Sequence, residues 1–284
     1  MYTLNCKGSI VTLVEPVIMG ILNITPDSFY AASRISNEEA LIRMAEKMIR
    51  DGAFFLDIGG QSTRPGSIRV SADQELQRVI PAIELLHKHF PATLLSVDTY
   101  YANVARLSVQ AGASMVNDIS AGALDTSMLP TVGRLQVPYV CMHMRGAPDN
   151  MQQLTHYENV TRDVVDFFIK QTAACINSGI HDIILDPGFG FGKTAAHNFQ
   201  LLRELRSFSI FNKPILVGLS RKSTVYKTLG IPVEDSLNGT TVLHTLALLN
   251  GANILRVHDV KEAQEAVQLV ANYHMEKPVQ KIPG

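Results

Sequence analysis

Eight short apolar runs, each followed by a stretch with helical spacing, constrain this chain more than any single motif does. The runs are Val17 to Ile24, Phe54 to Ile58, Leu94 to Val97, Ser114 to Val116, Val137 to Met142, Ile183 to Leu185, Pro214 to Gly218 and Ile254 to Val257. Between them apolar residues recur three and four apart, as in Leu41, Met44, Ala45, Met48 and Ile49, or Leu76, Val79, Ile80 and Ile83, the spacing of one helix face. Strands this short and this apolar must be covered on both faces, which calls for a parallel sheet flanked by helices. Eight such units in roughly 250 residues match a closed (β/α)8 TIM barrel. An open doubly wound sheet is the structural alternative.

Ahead of the first run the chain reads as a hairpin turning at Cys6-Lys7-Gly8-Ser9, a cap on the main fold. Ser36-Asn37-Glu38-Glu39 and Ser71-Ala72-Asp73-Gln74 have the form of capping boxes at helix starts. No linker, low-complexity segment or charge run divides the 284 residues. The expectation is therefore a single domain over 1–284, with the hairpin at 1–15, the barrel at 16–275 and a tail at 276–284. A formal charge of -1 gives no electrostatic pull toward nucleic acid or an anionic membrane. No apolar run is long enough to span a bilayer, and the first residues lack the basic-then-apolar form of a signal peptide, so a cytoplasmic protein acting on small molecules is expected. Cys6, Cys141 and Cys175 are odd in number and widely spaced, which reads as free thiols, with Cys141 in the core.

Polar residues stand at the carboxyl ends of the runs: Asn23, Asp57, Asp98, Asn117, His143, Asp186, Lys222, Arg256 and His258. In a parallel barrel these ends share one face, where barrel enzymes carry their chemistry. Any one of them has an ordinary alternative as a cap or turn residue, and Asp57 and His143 are assigned to that class or to a supporting role. Together they are harder to dismiss, because so many buried polar groups destabilise a barrel mouth unless a ligand or one another satisfies them. Asp98, Asn117 and Asp186 offer acceptors to a heterocycle with amino and ring N–H donors. Lys222, Arg256 and His258 are donors that, with Asn23 as an oxygen ligand for hydrated magnesium, suit a diphosphate. No Ser-His-Asp arrangement or thiolate competes as a covalent nucleophile, which points to electrostatic help for a departing group.

The sixth run ends in Asp186-Pro187-Gly188-Phe189-Gly190-Phe191-Gly192-Lys193. It fits neither a Walker loop, whose first glycine would fall on Pro187, nor the dinucleotide pattern, whose third would fall on Lys193. Alternate glycines leave room for Phe189 and Phe191 to lean over a flat ligand, with Asp186 facing its donor edge. A plain strand-to-helix turn is the alternative. The loops at 25–34 and 61–67 exceed the usual length of such connections and suggest lids over the substrates.

These segments resemble the dihydropteroate synthases, folate-pathway enzymes targeted by sulfonamides. The resemblance runs in register through Gly20 to Phe29, Asp57 to Gly66, Ser96 to Thr99, Val116 to Ser120, Met142 to Gly146, Ile184 to Lys193, Gly218 to Ser223 and Arg256 to Val260. It implies a homodimeric barrel that condenses 6-hydroxymethyl-7,8-dihydropterin diphosphate with p-aminobenzoate, giving 7,8-dihydropteroate and pyrophosphate. By the same resemblance the pterin would meet Asp98, Asn117, Asp186 and Lys222, with Gly218 at the site and Met142 and Phe191 as apolar walls. The diphosphate would meet Asn23 through Mg2+, and Arg256 and His258 directly. Thr63, Arg64 and Pro65 would close on p-aminobenzoate, with Ser223 offered to its carboxylate. Tyr30 to Arg34 departs from the family, which more often runs Ser-Asp-Gly-Gly there.

Two rival functions use a similar barrel. A pterin-dependent methyltransferase domain would have no use for the basic cluster of Lys222, Arg256 and His258 or for Thr63-Arg64-Pro65. A non-catalytic pterin-binding module would be expected to lose Asn23, Arg256 or His258, and all three are kept.

Overall fold

The computed structural model describes residues 1–24, 34–61, 69–147 and 151–274, without the side chains of 34–36 and 152. Strands β1 (Tyr2–Cys6) and β2 (Ser9–Leu13) pair antiparallel with Cys6 opposite Ser9. Lys7 and Gly8 both have positive φ, at 55° and 92°, the geometry that lets a two-residue turn follow the strand twist. The hairpin thus turns where the sequence places it.

Eight parallel strands follow in sequence order around a ring: β3 (Val17–Asn23), β4 (Ala53–Gly59), β5 (Leu94–Asp98), β6 (Met115–Asp118), β7 (Tyr139–Met142), β8 (Ile183–Asp186), β9 (Leu216–Val217) and β10 (Ile254–Val257). Ladders join β3 through β8 in order, β9 to β10, and β10 back to β3. The β8–β9 seam is held more lightly, by one parallel bridge between Leu185 and Ile215 and by Leu185 N–H donating to the Pro214 carbonyl at 2.9 Å. The barrel, and not the open sheet, is the fold.

Helices α1 (Arg34–Arg50), α2 (Ala72–His89), α3 (Ala102–Ala111), α4 (Met128–Leu135), α5 (Val160–Asn177), α6 (Ala195–Arg203), α7 (Ser223–Leu229), α8 (Leu237–Leu249) and α9 (Val260–His274) form the outer ring. The expected capping box of α2 is present: Gln74 N–H donates to Ser71 Oγ at 3.2 Å, and Ser71 N–H to Gln74 Oε1 at 3.1 Å. Helix α1 begins at Arg34 instead, so Ser36 lies inside its first turn and not at its cap. Met44, expected on the buried face of α1, is 49% exposed while Leu41, Ala45 and Met48 are buried.

Strand side chains alternate between two layers, as the pleat requires. Ile18, Leu22, Leu56, Ile58, Val97, Val116, Cys141, Leu185, Val217 and Leu255 face outward and pack with helix residues such as Val79, Ile83, Val104, Phe168 and Val267. Met19, Phe55, Met115, Val140, Ile184, Leu216 and Ile254 face inward and form a separate cluster with Leu4, Cys6 and Leu13 of the hairpin. The amino-terminal end of the barrel is thereby filled and covered with apolar side chains. Cys6, Cys141 and Cys175 are buried free thiols.

Candidate active site

Two residues further along β4, β6, β8 and β10 the inward positions change character. The same alternation that buries Phe55, Met115, Ile184 and Ile254 points Asp57, Asn117, Asp186 and Arg256 into the barrel. Strand pairing sets Asn23, Gly59, Asp98 and Asn117 in one row across β3 to β6. Gly59 keeps that row open, since a Cβ there would lie 3.5 Å from Asn23 Oδ1 and 3.6 Å from Asp98 Oδ2.

Asp57 is the hub of the mouth. Its Oδ2 accepts from Arg256 Nε at 2.6 Å and from Asn117 Nδ2 at 2.9 Å, while Arg256 Nη2 donates to Asp98 Oδ2 at 2.7 Å. With its amide nitrogen given to Asp57, Asn117 turns its carbonyl oxygen elsewhere as an acceptor. Asp57 was expected to have a supporting role and takes it, orienting two residues of the proposed site. Arg256, grouped by residue type with the donors, is bound directly to the acid Asp98 of the acceptor group and to Asp57. A guanidinium flanked by two carboxylates stays charged and fixed in direction.

The glycine-rich turn supplies the opposite wall. Asp186 Oδ1 accepts from Gly188 N–H at 2.7 Å, leaving its second oxygen for another donor. Gly188 has φ +70°, and a Cβ on it would fall 1.9 Å from the His143 carbonyl oxygen, so only glycine fits. Lys222 donates to the Phe189 carbonyl and sits with its Nζ 4.4 Å from the centre of the Phe191 ring. The two phenylalanines part company. Phe191 packs beside Met142, Ile119 and Tyr100 at the mouth. Phe189 is fully buried among the outward-facing residues and helices, so it cannot lean over a ligand. The two aromatic positions of the turn, two residues apart, point to opposite sides, which the alternation of glycine and phenylalanine does not reveal.

Burial pushes Asp98 up to about 7, against the pull of Arg256, and raises Asp186 against Lys222. It brings Lys222 down to about 8, a fall that the Asp186 carboxylate opposes. Three acids and two basic side chains are thus gathered where water screens them poorly. Gly218 borders the same space, since a Cβ on it would lie 3.9 Å from Lys222 Nζ and 4.0 Å from Arg256 Cβ.

At the rim, His258 Nδ1 lies 3.1 Å from Ser220 Oγ, which also accepts from His258 N–H at 3.2 Å. Lys222 is the residue before α7 and Ser223 its first residue. Thr63, Arg64 and Pro65 lie outside the described residues, as do most of the two long loops.

Residues the sequence reading left aside include Ser220, Tyr100 and Glu75. Tyr100 O–H donates to Gln61 Oε1 at 3.0 Å, and Gln61 Nε2 reaches Glu75 Oε2 at 3.4 Å. Glu75 is fully buried, and burial raises it to about 8 with the Thr99 hydroxyl opposing. It stands in the first turn of α2, where an acidic residue is ordinary, and nothing local signals that Gly60 and Thr99, just past β4 and β5, close over it.

No cluster of three or more acidic, histidine or cysteine side chains suited to a metal occurs among the described residues. Magnesium does not need one: it keeps most of its waters and takes one or two protein oxygens beside substrate phosphates. The exposed Asn23 amide oxygen, across the Gly59 gap from Asp98, fits that requirement.

Residues 19–258 match the family described as pterin binding enzyme. The chain is 41% identical over 266 residues to dihydropteroate synthase of Escherichia coli strain K12, covering 93% of this chain and 94% of that protein. The dihydropteroate synthase of Yersinia pestis, solved with a sulfonamide drug, superposes with a TM-score of 0.89 at 41% identity, over 96% of this chain and 99% of that one. The Xanthomonas albilineans dihydropteroate synthase solved with 4-aminobenzoic acid gives 0.87 at 40% identity, covering 99% of both chains. Strand-end residues gathered at one mouth and likeness along nearly the whole length together place this chain in the dihydropteroate synthase family of pterin-binding enzymes.

Proposed function

We propose that this chain, as one domain, is a transferase that condenses 6-hydroxymethyl-7,8-dihydropterin diphosphate with p-aminobenzoate, yielding 7,8-dihydropteroate and pyrophosphate. The observation that carries this reading is the buried network of Arg256, Asp57, Asp98 and Asn117, drawn from β10, β4, β5 and β6. It offers carboxylate and amide oxygens to a donor-rich heterocycle and keeps a fixed cation beside them.

In this reading the amino and N–H edge of the pterin faces Asp98, Asn117 and Asp186, with Lys222 as donor and Met142 and Phe191 against the rings. The diphosphate meets Arg256 and His258, and Ser220 holds the His258 ring in place. Asn23 would hold Mg2+, which would supply positive charge against the departing group. Arg256 needs no reorganisation to help, because Asp57 and Asp98 already orient it. The neutral aromatic amine of p-aminobenzoate attacks the carbon as its bond to the diphosphate oxygen breaks, and the nitrogen loses its proton afterwards to solvent or pyrophosphate, so no side chain has to remove it first. Ser223, with Thr63, Arg64 and Pro65, binds p-aminobenzoate.

A homodimer and a cytoplasmic location belong to the same proposal. The first is supported by Leu229, Val233, Val242 and Leu246 of the α7–α8 region, 38–54% exposed apolar side chains on neighbouring elements. No helix among the described residues is long and apolar enough to cross a membrane.

The test is purified protein with magnesium and each substrate alone or together. Pyrophosphate is expected only when both are present. Binding of the pterin diphosphate with no pyrophosphate released would favour a module that binds without catalysis.

A further inference from the structure

Lys193 ends the glycine-rich turn with its side chain buried. Its ammonium has three hydrogens and four acceptors around it: His143 Nδ1 at 2.9 Å and the carbonyl oxygens of Gly188 at 2.9 Å, Phe191 at 3.1 Å and His143 at 3.2 Å. These partners are an imidazole and main-chain carbonyls, not a carboxylate. An amine buried in such company is costly, and burial pushes Lys193 and His143 both well below their ordinary ranges. A methionine would fill the same space without that cost, so packing does not explain a lysine here.

What the amine holds together does. It ties both ends of the 188–191 turn to the residue after β7. That turn carries the Gly188 N–H on Asp186, the Phe189 carbonyl that accepts from Lys222, and the Phe191 ring beneath Lys222. We propose that Lys193 is a positioning residue for pterin binding: it pins this turn to β7 so that Asp186, Phe191 and Lys222 face the cavity together. The proposal rests on the reading of that cavity as the pterin site.

The experiment uses the full chain with Lys193→Met and Lys193→Gln, followed by thermal unfolding, steady-state kinetics and amide exchange. Both variants are expected to fold. In Lys193→Met the KM for the pterin diphosphate should rise about tenfold or more, while kcat and the KM for p-aminobenzoate change less than about threefold. Lys193→Gln, which still donates two hydrogen bonds, should recover part of the loss. Exchange at the Phe191 amide, which donates to the Gly188 carbonyl at 3.1 Å, should quicken in Lys193→Met. Folded variants with the parent KM would overturn the proposal. So would loss of folding in both, since Lys193 would then be a stability residue. If the parent protein neither binds the pterin nor releases pyrophosphate, the reading of the site fails instead.

Discussion

The two ends of the barrel are built by one rule and serve opposite purposes. At the amino-terminal end the inward positions are Met19, Phe55, Met115, Val140, Ile184, Leu216 and Ile254, sealed by the hairpin. One inward step along β4, β6, β8 and β10, the positions become Asp57, Asn117, Asp186 and Arg256, and Arg256 and Asn117 both donate to Asp57. Backbone and period are the same at both ends. The apolar end gives the closed ring its stability, which lets the polar end keep charges in a poorly hydrated mouth.

The contrast predicts which kind of damage each end suffers. The largest effect should come from Phe55→Ala, which removes a fully buried side chain from the sealed end. A loss of about 3–5 kcal/mol is expected in denaturant unfolding, with kcat of the folded protein unchanged. A large fall in kcat would mean the two ends are coupled. Arg256→Ala at the open end should lower turnover on the order of 10²-fold, measured as pyrophosphate release. Little change in turnover would move the diphosphate away from Arg256.

The smallest effect is one of pH, and it belongs to the open end, where the buried acids lie. Glu75 has its folded value at about 8, above the ordinary 4.5. Its contribution to stability is complete below 4.5 and is lost as pH rises through about 8. Unfolding free energy should therefore fall between pH 6 and 8.5, by roughly 2 kcal/mol. Glu75→Gln should remove that fall; Asp98, raised to about 7, and Asp186 act in the same direction, while Lys222, brought down to about 8, acts against them. An unchanged slope in Glu75→Gln would mean that the carboxyl is solvated in the native protein.

Much of this was legible in one dimension. Apolar run followed by helical spacing is a local pattern, and it gave all eight strands; the Lys7-Gly8 turn and the Ser71 capping box are equally local. Asn23, Asp98, Asn117, Asp186, Lys222 and Arg256 could be picked out because each closes or follows an apolar run, where a buried polar group calls for a partner.

Tertiary structure decided which partner. Arg256 and Asp57 are 199 positions apart and meet only because β10 pairs with β3 and β3 with β4 when the ring closes. Closure also sent Phe189 outward and Phe191 inward, and it buried Glu75 and Lys193 among groups distant in the chain. The periods of strand and helix are properties of a few adjacent residues and survive in the sequence. The direction a side chain faces depends on how far neighbouring strands slide past one another, and that register is fixed only when every strand has found its neighbours.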